Sequence, residues 1–449
     1  MELTLHSTPS LLLRLLLFIA ISTFSDCYDP LDPNGNITIT FDILQYTPDG
    51  YQARVSIRNY QQYRHVDEPG WKLGWRWADD EVILSMSGAF ATQQGNCSDN
   101  FKYQQTPHSC ERNPTIMDLM PDAWPENMSE ECCRGGVLAA WAINPNMSFS
   151  SFEIEVANLG ANYTAHPPGN LTFKDPGPGY TCGLLEDADP SVSWDVGGRR
   201  QVRVKRTWKS TCTYSSFVAN KLPACCVSLS TFYSPIVTPC PNCSCGCRDA
   251  DPTTLSCIRE DFSLSNSDLD NNLNVVQCTD NMCPIRVHWH IKNNYMTYWR
   301  IKLTVSNYNY KRNYSNWNLL VQHPAFNQSA TVYSFNSKLL PSNGFSDIDE
   351  VALFWGIDFY NSELLNVDEN KLGSVTTDIL LEKNLDIFTF RNGWAFPRRI
   401  YFNGENCVMS PPDNFPMLPN NSFKLKSIYH HFPLLLVIHL TLTNLLGWF

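Results

Sequence analysis

The chain has 449 residues, a formal net charge of −11, 17 cysteines and 12% aromatic residues. The acidic balance argues against nucleic acid as a partner. The length leaves room for two or three domains.

Residues 11–24 (LLLRLLLFIAISTF) form a run that is almost wholly apolar apart from Arg14. It has the length of a secretory core and falls short of a membrane span, and Ser25 and Cys27 are small enough for cleavage. Residues 1–27 therefore read as a signal peptide, with Tyr28 first in the mature chain. A buried apolar helix is the competing reading, but the polar stop YDPLDPNG follows at once.

From there the chain alternates. Asn36–Ile43 places Ile37, Ile39, Phe41 and Ile43 on one face, as a half-buried strand does. Thr47-Pro48-Asp49-Gly50 is a turn, Tyr51–Ile57 alternates again, and the two strands read as a hairpin. Trp71–Trp77 puts Trp71, Leu73, Trp75 and Trp77 on one face. Glu81–Met86, Gly136–Ile143, Ser151–Val156 and Asn170–Lys174 follow as further strands, and Asp175–Tyr180 closes the unit. Short strands between Pro/Gly/Asn turns point to a β-sandwich.

Residues 201–205 and 210–214 look like strands that complete this unit. Six cysteines then crowd into 225–247: Cys225, Cys226, Cys240, Cys243, Cys245 and Cys247. Residues 261–274 are Ser/Asp/Asn-rich and read as a linker.

The second half repeats the first. Ile285–Ile291 stands 248 positions after Ile37–Ile43, and at that offset Tyr51 meets Trp299, Arg54 meets Lys302, Asn59 meets Asn307 and Arg64 meets Arg312. A two-residue deletion brings Trp71 onto Trp317. Further on, 137–143 resembles 351–357 and 171–174 resembles 388–391. The pattern predicts two copies of one sandwich with the cysteine cluster as a clasp between them. The expected boundaries are 28–183, a connecting region 184–277 holding the cysteine-rich stretch 225–257, and 278–415.

The tail carries a second address. Asn420-Asn421-Ser422 are small, 423–432 is a polar spacer and 433–449 is apolar with no basic stop. These are the ordered parts of a GPI signal, whereas a transmembrane helix wants roughly 20 apolar residues and a basic flank. Residues 416–449 read as that signal, with attachment at Asn420; Asn421 comes second because it places Phe423 two positions on. Export at one end and an anchor at the other put the protein on the extracellular face. Sixteen cysteines remain after Cys27 is removed, an even number that favours disulfides over metal thiolates there. Glycosylation acceptors are Asn36, Asn96, Asn127, Asn146, Asn162, Asn170, Asn242, Asn313 and Asn327. Asn96 and Asn242 are the poorer ones, with cysteine inside the triplet.

Catalytic and metal-binding constellations are weak. His288 and His290 share a strand face without an evident third ligand. Asp79-Asp80-Glu81 lacks the facing partner a glycosidase pair needs, and Ser228 lies in no nucleophile elbow. No cofactor and no metal are expected. The aromatics are the better clue. Trp71, Trp75, Trp77, Tyr60 and Tyr63 could form a stacking platform for sugar rings, or the tryptophans could form the sandwich core. In the second case Tyr60, Gln61, Gln62 and Tyr63 are the exposed candidates.

Several stretches together resemble the COBRA family of plant GPI-anchored wall proteins: YDPLDPNGNITI at 28–39, PGW at 69–71, GPGYTCG at 177–183, CCVS at 225–228, CSCGC at 243–247, CPIRVHWH at 283–290, NYNY at 307–310, WNL at 317–319 and WAFPRRIYFNGENC at 394–407. The pair Ser109-Cys110 departs from the cysteine pair that members can carry there. The resemblance implies an all-β protein of two related immunoglobulin-like, carbohydrate-binding-module-like sandwiches joined by a disulfide-rich segment. It also implies a non-catalytic protein of the outer leaflet and wall that binds cellulose, or another wall polysaccharide, and helps orient microfibrils. The competing classes are a wall-polysaccharide hydrolase or transglycosylase, and a surface adhesion protein.

Overall fold

The structure, a computed structural model, describes residues 29–416 except 30, 99–105, 160–163, 195–200, 220–224, 242–255, 259–274, 278–284, 309–312, 328, 341–350, 367–372 and 384–394. The signal region, the tail with Asn420, and Cys243, Cys245 and Cys247 lie outside the described residues.

The described chain is almost all β. Its first half comprises β1 (Ile37–Tyr46), β2 (Gly50–Asn59), β3 (Lys72–Arg76), β4 (Val82–Ser87), β5 (Ala89–Ala91), β6 (Thr115–Asp118), β7 (Phe149–Ala157), β8 (Gly169–Lys174), β9 (Tyr180–Cys182), β10 (Glu186–Ala188), a ribbon of β11 (Val192–Trp194) and β12 (Gln201–Arg203), and β13 (Arg206–Tyr214). The second half comprises β14 (Cys225–Thr231), β15 (Ser234–Thr238), β16 (Ser256–Ile258), β17 (Val275–Gln277), β18 (Ile285–Asn294), β19 (Tyr298–Asn307), β20 (Tyr314–Ser315), β21 (Asn318–Gln322), β22 (Ala330–Val332), β23 (Asn336–Leu340), β24 (Val351–Trp355), β25 (Glu363–Leu364), β26 (Gly373–Glu382), β27 (Arg399–Phe402) and β28 (Glu405–Asn406).

Each half is a sandwich of two sheets. The first packs β10-β13-β1-β2-β7-β4 against β5-β6-β3-β8, and the second packs β15-β14-β18-β19-β26-β22 against β23-β24-β21-β27-β28. Alternation decides which side chains fill the gap, because successive residues of a strand point to opposite faces. Ile37, Ile39, Phe41 and Ile43 of β1 are fully buried, as are Ile285, Val287, Trp289 and Ile291 of β18.

The repeat is physical. β18 begins 248 residues after β1 and β19 the same distance after β2. Each hairpin breaks register at the equivalent place, between Ile43 and Gln45 in one and between Ile291 and Asn293 in the other. Such a bulge bends and twists the strand locally, so both hairpins curve alike.

Sheet order corrects two parts of the sequence alignment. β24 holds the place of β6, and β27 that of β8. Val351–Trp355 therefore corresponds to Thr115–Asp118 rather than to 137–143, and 388–391 lies outside the described residues. The expected strand Gly136–Ile143 is a loop with one bridge, Val66 to Leu138. Gly135 and Gly136 both take positive φ, and the Asp118 carboxylate accepts the N–H groups of Cys133, Arg134 and Gly136. The chain is curled around that carboxylate and cannot extend. A Cβ on Gly70 would lie 1.9 Å from the Gly135 carbonyl oxygen, which explains the glycine of PGW.

The cysteine cluster is also placed differently from expectation. CCVS opens β14, which runs parallel to β18 inside the second sandwich and is buried along its whole length. Cys225 bonds Cys407 and Cys226 bonds Cys240. Both bridges fasten the strand within the second copy, so they are no clasp between copies.

The copies are instead joined through a third small core of Tyr63, Ala142, Leu320, Leu340, Val351, Leu353 and Tyr401. Arg64 leaves the first copy and donates to Glu405 at 2.7 Å and to the Gly404 carbonyl, while its guanidinium lies 3.5 Å over the Tyr214 ring. Burial opposes its charge; the Glu405 carboxylate and the neighbouring Tyr214 outweigh that, and the net shift is upward. Asn318 and His65 meet at 2.9 Å across the same seam. From the N-terminal side, Asp29 accepts from the Tyr63 hydroxyl and Asp32 accepts the Gln62 N–H at 2.7 Å.

Three outcomes are expected. Trp75→Ala, which empties a site packed edge-to-face on Phe41 and Trp77, costs about 3–5 kcal/mol in urea unfolding. Glu405→Gln strands a buried cation and costs about 3 kcal/mol; a loss below about 1 kcal/mol would show that the pair does not hold the seam. Burial pushes the Asp32 carboxyl up to about 6, so the folded state holds its proton more tightly than the unfolded chain. Its contribution is present below about pH 4 and is lost as the pH rises toward 6, by at most about 3 kcal/mol. Melting curves across that window should fall more steeply in wild type than in Asp32→Asn.

Candidate functional site

The tryptophan face of β3 is core. Trp71, Trp75 and Trp77 are 1–2% exposed, and Trp71 stacks on Phe152 at 5.9 Å. They lie between the sheets, where no polymer can reach them, so the platform reading is corrected for all three. Tyr63 and Gln61 are corrected too, since both are buried. Tyr63 packs on Tyr401 of the second copy and donates to Asp29 of the N-terminal segment, while the Gln61 amide donates to the Tyr180 hydroxyl within the first copy. Gln62 is half-buried, its N–H held by Asp32.

Tyr60 is the one nominated aromatic left partly exposed. Its ring centroid lies 5.1 Å from that of Trp141, with the planes tilted by 46°. Trp141 sits in the loop that had read as a strand, and its N–H donates to the Gln61 carbonyl at 2.8 Å. That bond fixes the two aromatic segments beside each other. Arg58, exposed at the end of β2, lies over both the Tyr60 and Phe149 rings. Arg134 donates to the Phe149 carbonyl and reaches the Met147 sulfur at 3.2 Å. The loop beyond β6 adds Met120, packed near Gly135, and Trp124, 75% exposed. From Trp141 and Tyr60 through Arg58 and Phe149 to Arg134 and Met147, the contacts form an aromatic and methionine band on the first copy, with Trp124 on a separate loop of the same copy. Trp141 could be suspected from sequence only by treating 135–143 as a loop, and the signal for that was Gly135-Gly136.

The sites with enzymatic overtones have structural explanations. Ser228 contacts His288 Nδ1 at 2.7 Å, and Ser230 contacts His288 Nε2 at 2.9 Å and His290 Nδ1 at 2.7 Å. Burial and the nearby Arg286 push His288 down to about 4, so the ring is neutral at ordinary pH and satisfied by hydroxyls. Asp79 and Asp80 are exposed, and Glu81 accepts the Asp79 N–H as a turn closes. Among the described residues, no group of three His, Cys, Asp or Glu could hold a metal ion.

Asn96, Asn127, Asn146, Asn170 and Asn313 are exposed and Asn36 is half-buried. Asn327 lies in the 3-10 turn Pro324–Asn327; Asn162 and Asn242 lie outside the described residues. Cys110, whose partner could not be read from sequence, bonds Cys97.

Two family models cover most of the chain. Residues 51–215 match the COBRA N-terminal domain and 224–416 the COBRA family C-terminal domain. The chain is 49% identical over 432 residues to COBRA-like protein 1 of Oryza sativa subsp. japonica, covering 95% of each. It is 50% identical over 402 residues to COBRA-like protein 2 of Arabidopsis thaliana, covering 89% of this chain and 90% of the relative. It is 45% identical over 421 residues to Protein COBRA of Arabidopsis thaliana, covering 91% of each. With both domains matched in order and three relatives aligned over nearly their full length, the chain belongs to the COBRA family.

Proposed function

We propose that the protein is a non-catalytic, GPI-anchored glycoprotein of the outer cell surface that binds cellulose and helps organise microfibrils in the plant wall. The observation that carries this reading is the partly exposed aromatic band of the first copy, centred on the half-buried pair Tyr60 and Trp141. Pyranose rings present apolar C–H faces, and stacking on aromatic rings buries them. The ring pair is held by backbone bonds from a sandwich, which limits the ordering cost on binding. Disulfides such as Cys182–Cys212 and Cys225–Cys407 fit an oxidising, extracellular setting. The tail reading supplies the anchor, and the exposed acceptor asparagines supply glycan positions.

The test is retention of the full chain, expressed in plant cells, on crystalline cellulose. Wild type should be retained. Tyr60→Ala with Trp141→Ala should lose at least tenfold in affinity while its melting curve stays close to wild type, and Trp124→Ala should show a smaller loss. Wild type passing freely through the cellulose would end the proposal. Unchanged retention in the double variant would move the site off this band.

A further inference from the structure

The second copy carries a groove that the reading above does not use. It lies on the outward face of the six-stranded sheet, has a volume of 350 Å³, and is lined by Lys292, Arg300, Lys302, Tyr333, Thr376 and Asp378 together with Ser334 and Thr377. The pairing register brings these residues together. Lys302 of β19 stands between His290 of β18 and Asp378 of β26, and Tyr333 is tied to β26 through its N–H to the Asp378 carbonyl.

The groove is cationic in an acidic protein. Asp378 accepts from Arg300 at 2.9 Å and lies 3.5 Å from Lys292. One carboxylate thus stands among three cations. Arg286 and Glu382, further along the same face, add one charge of each sign and leave the excess in place. The partly exposed His290 and the hydroxyls of Thr304 and Thr376, 3.0 Å apart, continue the polar floor. Exposed rings flank it: Tyr333 is 59% exposed and Tyr295 39%, the latter stacked on Tyr298 at 4.4 Å.

The first copy shows that the scaffold does not require these charges. At the 248-residue offset, Lys292 replaces Leu44, Arg300 replaces Gln52 and His290 replaces Asp42. Lys302 alone has a basic counterpart, Arg54, and there Glu153 pairs with it at 2.9 Å. The same pleated surface is acidic in the first copy, with Asp42, Glu153 and Glu155 around Arg54, and basic in the second.

We propose that this groove binds a carboxylate-bearing polysaccharide, a polymer of or substituted with uronic acids. The lysines and Arg300 would meet the carboxylates, the hydroxyls the sugar hydroxyls, and Tyr333 a ring face. Cations alone would serve any anion; the flanking exposed tyrosines and hydroxyl-rich floor favour a sugar over a lipid headgroup. The inference goes beyond the cellulose reading and concerns the other copy.

The test uses the full chain from plant cells and titration calorimetry. The probes are an α-1,4-linked galacturonate hexamer, its full methyl ester, a glucuronate-substituted xylan oligosaccharide, and vesicles containing an anionic phospholipid. Wild type should bind the galacturonate hexamer or the glucuronate oligosaccharide, and whichever binds assigns the source of the carboxylate. The methyl ester should bind at least tenfold more weakly than the galacturonate. Lys292→Gln with Lys302→Gln should lose at least tenfold in affinity for the acidic glycan, Tyr333→Ala severalfold, and added salt should weaken binding further because the site is open to solvent. Cellulose retention by the lysine double variant should match wild type, and acidic-glycan binding by the Tyr60/Trp141 variant should be unaffected, which separates the two proposals. The inference is overturned if neither acidic glycan binds, if the hexamer and its ester bind alike, if the lysine variant binds as wild type does, or if only the vesicles bind.

Discussion

The arrangement of the two sandwiches depends on a buried cation. Arg64 lies in the loop after β2 of the first copy, five residues past Asn59, and its side chain is 9% exposed. A guanidinium taken out of water is tolerated only where a counter-charge and acceptors meet it. Here these come from the second copy, as the Glu405 carboxylate and the Gly404 carbonyl. The Glu405 carboxylate also accepts from Tyr214 at 2.7 Å, so the last long strand of the first sheet is tied to the same anion. The apolar contacts around Tyr63 and Tyr401 lie at the same seam, while the Glu405 side chain stays 26% exposed. The pair is directional, because rotation of one sandwich against the other would strand Arg64 without its partners.

This seam also sets what the first copy can show to the outside. The loop from Tyr60 to His65 turns inward after Tyr60, and the aromatic band begins where the seam ends. Ala142, next to Trp141, packs into the seam and its carbonyl accepts from Lys338 of the second copy at 3.1 Å. Trp141 is therefore fixed partly by the far sandwich. A binding surface on one copy and the joint between copies share the same backbone.

Much of the architecture could be read from the chain. The hairpins of both copies were visible because a strand with one buried face alternates, and the constant offset exposed the repeat. What misled the reading were segments whose environment is not local. β14 is buried on both faces, so it shows no alternation and could be taken for connecting sequence. Gly136–Ile143 is apolar enough for a strand, but two glycines and the distant Asp118 curl it. The tryptophans in and beside β3 were equally suited to core or platform by composition, and only the second sheet settles that they are core. Tyr60 stood out as an aromatic beyond the end of a strand; its partner Trp141, some eighty positions away, did not.

The two copies use one scaffold for different surfaces because the constraint on a sandwich strand acts on alternate residues. Inward positions of β1 and β18 must fill the same gap, and both do so with large apolar side chains. Outward positions answer only to solvent and to their cross-strand neighbours. The hairpin bulge keeps the register equal in both copies, so a substitution outside the core changes the surface without moving the strand. Leu44 can thus correspond to Lys292 and Gln52 to Arg300 with no adjustment of the fold. The apolar band on the first copy and the basic groove on the second arise from that freedom, and the Arg64–Glu405 joint holds the two surfaces in fixed relation.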